Sequence, residues 1–253
     1  MINHKYKLLN LLPKKQRRRL PYFGFPIQTL YLGFLDQHPN HKRVLDIGCG
    51  NGFLLRQLRY WKNQIKGIDA SEELIKDLQK QGLTEVEHVY FSSETAKQQE
   101  DFDWIYCLDV LEHAHDRASF IKGLYHLKTK DNHLVLLFPN QKHHGTTGLI
   151  NFNEFDTLSK EYNFEIVKLS PPIWFSIAQY CKHKIKGLLG FQEGDLFHEN
   201  PSFSKIRHHP KSWTLSLFIE LYFQLFDWFP SKVKKVNHLK DEGIYMIYFG
   251  QER

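Results

Sequence analysis

Cysteine is scarce in this 253-residue chain: Cys49, Cys107 and Cys181 are far apart and form no CxxC pair. That excludes a disulfide framework and a zinc ribbon, and a reducing, cytosolic setting is the expectation. Acid is missing altogether from residues 1–35, which carry Lys5, Lys7, Lys14, Lys15, Arg17, Arg18 and Arg19. Long uncharged apolar runs are missing too. Leu8–Leu12 is interrupted by Asn10 and followed by Pro13, with no small-residue cleavage site, so it does not read as a secretory signal. The most apolar stretch, Trp213–Phe229, contains Glu220 and Asp227, which argues against a membrane span. No internal repeat and no low-complexity tract occurs.

What remains is a chain with 42% hydrophobic residues, enough for a substantial core. Its net charge of +6 is unevenly spread: 16 Lys or Arg stand against 20 Asp or Glu in residues 36–170, and 10 against 7 in residues 171–243. Basic flanks on an acidic middle suit an anionic partner, either a membrane surface or a nucleic acid, with a solvated tail as the alternative.

From residue 43 onward, short apolar runs alternate with helical patterns. "RVLDIG", "QIKGID", "EHVYF", "FDWIYCL" and "HLVLLF" read as strands, with helices expected near 53–61, 72–81 and 117–128 and a link near 92–100. Ser71 followed by Glu72 and Glu73 forms a helix start, because a hydroxyl caps free N–H groups and acids oppose the helix dipole. "NEFDTLSKEY" reads as a further helix, and "NFEIVKLS" and "GIYMIYFG" as the last two strands. The alternation predicts an α/β fold, a mostly parallel seven-stranded sheet with helices on both faces. About seventy residues separate the last two strands, too many for a hairpin connection, so a helical insertion is expected before the final strand. The expected divisions are a basic segment 1–35, a core 36–170, an insertion 171–243 and a closing strand 244–253.

The stretch "VLDIGCGNGFLL", residues 44–55, places Gly48, Gly50 and Gly52 between a strand and a helix, with Asp46 two residues before the first glycine. Glycines there let backbone N–H groups and a helix N-terminus approach a polar ligand closely. The spacing G-x-G-x-G departs from the dinucleotide fingerprint G-x-G-x-x-G. "LDIGCGNG" resembles the first motif of the class I S-adenosylmethionine-dependent methyltransferases, a Rossmann-like fold, and the resemblance runs over roughly residues 40–170 plus the terminal strand. It implies S-adenosylmethionine as cofactor. Asp46, Gly48, Gly50 and Asn51 would line its methionine part. Asp69, with Ala70 beside it, matches the acid that accepts hydrogen bonds from the ribose hydroxyls, a role suited to an acceptor-only group. For adenine, "FSSET" offers Ser92, Ser93 or Glu94, of which Ser93 is taken. Leu108, after the fourth strand, is expected to make apolar contact with cofactor or substrate.

"CLDVLEHAHD" resembles the "LEH" segment of this superfamily, including the ubiquinone-biosynthesis O-methyltransferases. Asp109, Glu112 and His113 stand at i, i+3 and i+4 and share one face if the segment is helical. By resemblance the three form a candidate site for a divalent cation, Mg2+, while His113 and Glu112 are candidate catalytic groups that help deprotonate a hydroxyl acceptor. The alternative is that they cap a helix and line the pocket. "LFPN", residues 137–140, is not the N/D-P-P-Y/F signature of amino methyltransferases, and no catalytic cysteine pair is present. His143 and His144 follow it as acceptor-facing candidates.

In the expected insertion, Ser216, Glu220, Gln224 and Asp227 form one narrow polar stripe on an otherwise apolar and aromatic helix. "IWFSIAQYCKHKIKGLLGF" adds aromatics next to Lys182, Lys184 and Lys186. The pattern suits a membrane interface, or else an aromatic lid or a dimer contact. The expected activity is methyl transfer to oxygen, or next to carbon, of a small or lipid-like acceptor at an anionic membrane surface. An RNA methyltransferase and a non-catalytic membrane-associated protein are the rival readings.

Overall fold

The computed structural model describes residues 38–140, 148–170, 232–239 and 242–252. The first strand, β1 (Arg43–Ile47), is buried along nearly its whole length and runs through the glycine loop into α1 (Phe53–Tyr60). Gly52 stands at the N-cap of α1 with φ 68°, a left-handed conformation that glycine adopts without strain. A Cβ there would come within 2.8 Å of Leu78 and Leu83, so the loop also depends on the missing side chain.

Next come β2 (Gln64–Asp69), α2 (Glu72–Lys80), β3 (Val86–His88), α3 (Ser93–Ala96), β4 (Trp104–Leu108), α4 (Arg117–Leu127) and β5 (His133–Asn140). Ser71 caps α2 as expected: its hydroxyl accepts from the N–H of Leu74 at 3.3 Å. The strand β3 stops at His88, short of the run expected to reach Phe91. Phe91 turns into the core instead and meets the Phe120 ring edge-on at 4.8 Å. The link near 92–100 holds the single turn α3, closed by a capping box between Ser92 and Thr95. After β5, the expected helix divides into a 3-10 turn (Phe152–Phe155) and α5 (Asp156–Glu161), and β6 (Tyr162–Ser170) follows at once.

The sheet has eight strands in the order β3-β2-β1-β4-β5-β8-β6-β7, with β7 at Lys232–Lys235 and β8 at Gly243–Glu252. Strands β1 to β5 are parallel, and β8 runs antiparallel between β5 and β6. The count of seven is corrected to eight by β7, which lies inside the expected insertion. Its sequence "KVKK" has one apolar residue and shows no hydrophobic period, as suits a lysine-bearing edge strand. Residues 171–231 of the expected helical insertion and the basic segment 1–35 lie outside the described residues. One core layer joins Leu45, Ile47, Ile105, Cys107, Leu136, Phe138 and Ile247 of the sheet to Phe120, Ile121 and Leu124 of α4.

Chain order reverses between β1 and β4: from β1 the chain steps outward to β2 and β3, then returns to β4 on the other side. Ligands of open α/β sheets bind beyond the carboxyl ends of the strands at such a reversal. The glycine loop leaves β1 and the "DVLEH" segment leaves β4 at that point.

Candidate functional site

Backbone hydrogen bonds shape the glycine loop. The N–H groups of Gly48 and Cys49 both donate to the carbonyl of Ile68, at 2.8 and 3.0 Å, folding the loop over the end of β2. The N–H of Gly50 donates to Asp69 Oδ2 and that of Ser71 to Asp69 Oδ1, each at 2.8 Å. Asp69 thus joins the glycine loop to the start of α2. Each carboxylate oxygen keeps acceptor capacity for a second donor.

Gly48 and Gly50 have positive φ, 72° and 50°, and differ in what surrounds them. A Cβ on Gly48 would lie 2.2 Å from Val110 Cγ2, so the segment after β4 packs directly on the loop. A Cβ on Gly50 would meet only the Gly48 carbonyl oxygen, at 4.0 Å. The loop is therefore tight on its Val110 side and open at Gly50. Asn51 turns inward to the helix start, its Oδ1 accepting from the N–H of Phe53 at 3.2 Å.

Asp46 is 3% exposed at the end of β1, beside Gly67 of β2 and Tyr106 of β4 in the sheet register. Burial, reinforced by the charge of Asp69, pushes its carboxyl up to about 8. Ala70 is exposed after β2, its carbonyl 3.0 Å from His88 Nε2. Ser93 is buried, and both its N–H and its hydroxyl engage Ser119 Oγ of α4, at 3.2 and 3.1 Å. Leu108 is half-buried at the end of β4. The structure brings Asp46, Gly48, Gly50, Asn51, Asp69 and Ala70 to the carboxyl ends of β1 and β2.

Asp109, Glu112 and His113 do not share a helical face. Asp109 has φ 61° and donates its N–H to the Leu137 carbonyl at 2.7 Å, and the helix beyond it is one 3-10 turn, Leu111–His113. The Glu112 side chain is 2% exposed, and burial together with its hydrogen bond to Asp109 pushes its carboxyl up to about 10. His113 points outward, 57% exposed, with Nε2 3.9 Å from Glu112 Oε1. No group of three or more His, Cys, Asp or Glu among the described residues is arranged to hold a metal ion. The expected Mg2+ site is corrected accordingly: a single tight turn replaces the α-helix that would have aligned the three. Burial and the neighbouring Asp109 favour the protonated form of Glu112.

Val110 and Asn140, at the carboxyl ends of the neighbouring strands β4 and β5, are residues that sequence reasoning missed. Asn140, buried at the end of β5, accepts from the Ile150 N–H at 2.7 Å and donates to the Ile150 carbonyl at 3.1 Å. A side-chain amide thereby imitates a strand partner. Arg117 of α4 reinforces the same segment through Glu154 at 3.3 Å and the Gly148 carbonyl at 3.4 Å. No local pattern in the sequence marks either residue. His143 and His144 lie outside the described residues.

A family model described as "Methyltransferase domain" matches residues 17–156, more than half of the chain. The chain belongs to the class I S-adenosylmethionine-dependent methyltransferases. It is similar to the ubiquinone biosynthesis O-methyltransferases of Idiomarina loihiensis, 31% identical over 105 residues, and Stutzerimonas stutzeri, 35% identical over 105 residues. Each alignment covers 38% of this chain and 43% or 45% of the relative, so the chain spans less than half the length of the curated relatives it matches. Among solved structures it resembles Haemonchus contortus phosphoethanolamine N-methyltransferase 2 in complex with S-adenosyl-L-methionine, with a TM-score of 0.51 at 12% identity. That likeness covers 100% of this chain and 61% of the other, and it shows the methyltransferase fold.

Proposed function

We propose that the chain binds S-adenosylmethionine over the β1/β4 reversal and transfers its methyl group to a hydroxyl oxygen of a small, lipid-like acceptor. The observation that carries this reading is the glycine loop tied to Asp69 through Gly50 and left open at Gly50. Gly48, Gly50 and Asn51 hold the amino-acid end of the cofactor. Asp69 receives the ribose hydroxyls on the acceptor capacity its two backbone bonds leave, and Ala70 lies alongside. Leu108 gives an apolar wall. Ser93 reaches the adenine only through its Ser119-bound hydroxyl, the weakest of these assignments in donor capacity.

Bound there, the cofactor supplies a methyl group on a positively charged sulfur. The protein contributes positioning, exclusion of water and removal of the acceptor's proton. We assign that removal to His113, whose imidazole is exposed on the segment after β4 with Nε2 3.9 Å from Glu112 Oε1. No metal-dependent step is invoked. Oxygen as the target follows from the similarity to ubiquinone O-methyltransferases and from the absence of an amino-methyltransferase signature at Leu137–Asn140. We further place the protein at the cytoplasmic face of a membrane, on the support of the acid-free basic segment 1–35 and the aromatic segments after residue 171. No helix among the described residues is long and apolar enough to cross a membrane.

The test is transfer of labelled methyl from S-adenosylmethionine into a cell extract, separated into lipid, small-molecule and RNA fractions. Label in the lipid or small-molecule fraction, reduced at least tenfold by His113→Gln with cofactor affinity retained, supports the reading. Label confined to RNA overturns the acceptor class, and no label in any fraction overturns the activity.

A further inference from the structure

Side chains of the central strands alternate between two faces of the sheet. Ile105, Cys107, Leu136, Phe138 and Ile247 enter the core layer with α4. Their strand neighbours point to the second face: Trp104, Tyr106, Val135, Leu137 and Met246, joined by Val167 of β6, are each at most 4% exposed. The register lines them up, Tyr106 beside Val135, and Leu137 beside Met246, which also pairs with Val167. On this face Gly67, next to the core residue Ile68, leaves the room that Leu55 of α1 fills over β2, and α2 packs on β2 and β3. The helices α4 and α5 belong to the core layer instead. No described helix lies over β5, β8 and β6 on the second face, yet water is shut out of it. A strip so apolar is closed by an element with a matching apolar stripe.

The chain enters β1 beside this strip. The His38 ring packs on Trp61, just past α1, with centroids 5.1 Å apart, and the Asn63 side chain holds the Pro39 carbonyl at 2.9 Å and the Lys42 N–H at 3.0 Å. Immediately upstream, Ile27, Leu30, Tyr31, Phe34 and Leu35 recur at i, i+3, i+4, i+7 and i+8, with Thr29 and Asp36 on the opposite side and Pro26 at the start. We propose that residues 27–35 lie on the second face as an amphipathic helix, the stripe closing the strip over β4, β5 and β8. Its length fits: nine residues rise about 12 Å as a helix, and Trp104 to Leu108 of β4 spans about 13 Å as a strand. Its tether fits too, since the three residues from Leu35 to His38 reach about 10 Å, the spacing of neighbouring helices. Trp213–Phe229 is a poorer match, being apolar around nearly its whole circumference where the strip is one-sided. The boundary expected at residue 35 then falls near residue 26, which separates the stripe from the basic run Lys14–Arg19. Asp46 pairs with Tyr106 in the register, so the same helix keeps water from the strand end that carries the glycine loop.

The experiment uses the full chain with Tyr31 replaced by the photo-cross-linker p-benzoylphenylalanine, in protein whose circular dichroism matches the parent, and reads the cross-linked peptides by mass spectrometry. The inference expects cross-links within one chain to residues 133–139 or to Met246, whose thioether is a favoured target of the excited ketone. The same probe at Thr29 should give neither. Cross-links from position 31 confined to residues 171–231, cross-links only between two copies, or none at all overturn the inference. A second measurement needs no probe: Leu30→Ser with Phe34→Ser should lower the melting midpoint by about 8 °C or more, and Thr29→Ala with Asp36→Ala by less than about 2 °C. Equal shifts for the two pairs also overturn it. If the serine pair does not fold, the cross-link decides. Neither measurement involves the cofactor, so the outcome stands apart from the proposed activity.

Discussion

The backbone N–H of Gly50 donates to Asp69 Oδ2 at 2.8 Å, joining the loop after β1 to the end of β2. The other Asp69 oxygen receives Ser71 N–H at the same distance, so one carboxylate shapes the loop and orients the start of α2. Asp69→Asn keeps the size but turns one acceptor into a donor facing an N–H group. We expect it to destabilise the fold by about 1–2 kcal/mol and to weaken S-adenosylhomocysteine by about 1–3 kcal/mol through lost charged hydrogen bonds. Chemical denaturation and calorimetry check the two effects separately.

Gly48 and Gly50 separate packing from ligand room. At Gly48, alanine brings a Cβ to 2.2 Å from Val110 Cγ2 in addition to a left-handed backbone, so Gly48→Ala should destabilise the fold by about 2–4 kcal/mol. Adding Val110→Ala should recover part of that loss, a coupling measurable in a double-mutant cycle. At Gly50 the new methyl meets no protein atom closer than 4.0 Å. Gly50→Ala should therefore lose only about 1 kcal/mol to backbone strain while weakening the cofactor more than tenfold. Equal stability losses at the two positions would contradict the described loop geometry.

How much of this was legible in the sequence depends on how local each cause is. The strands β1, β4 and β5 announce themselves because burial demands continuous apolar runs, and Ser71 announces α2 because capping is decided within three residues. The glycine loop was readable for the same reason, whereas Asp69 was singled out only by the resemblance to the methyltransferase motif. The edge strand β7 was not, since a strand with a single neighbour and lysines has no period to detect. The "DVLEH" spacing suggested a helical face, but with a left-handed Asp109 and one 3-10 turn Glu112 is buried while His113 is exposed. Val110 and Asn140 act on Gly48 and Ile150, contacts fixed by tertiary packing and invisible to spacing.

A half-buried histidine lies at the opposite ends of the strands. The Tyr248 hydroxyl and His133 Nδ1 are hydrogen-bonded at 2.7 Å, and the imidazole packs against Trp104 with ring centroids 4.3 Å apart. Burial, aided by Lys128 and Lys42, pushes His133 down to about 4. A histidine with a folded value below its unfolded value of about 6.5 contributes fully above that pH, and its contribution is lost as pH falls from about 6.5 toward 4. The stability advantage of the parent over His133→Gln should therefore shrink across this window in melting experiments. An advantage that grows on acidification would reverse the assigned protonation.

Membrane association is expected to have two components. Replacing Lys14, Lys15, Arg17, Arg18 and Arg19 by glutamine should remove the salt-sensitive part of binding to anionic liposomes, up to about 1 kcal/mol per charge. Trp174→Ser with Phe175→Ser should reduce a part that persists at high salt. Sedimentation with liposomes at low and high salt separates the two. A protein that ignores liposomes yet binds RNA with a steep salt dependence would move the proposed partner to nucleic acid.

The most direct measurement is titration calorimetry of the purified full chain with S-adenosylmethionine and S-adenosylhomocysteine, compared with Asp69→Ala of matched circular dichroism. The account predicts that both ligands bind the parent at a single site and raise its melting temperature, and that Asp69→Ala weakens both by about 1–3 kcal/mol. Failure of either ligand to bind the well-folded parent, or undiminished binding by the alanine variant, would contradict it.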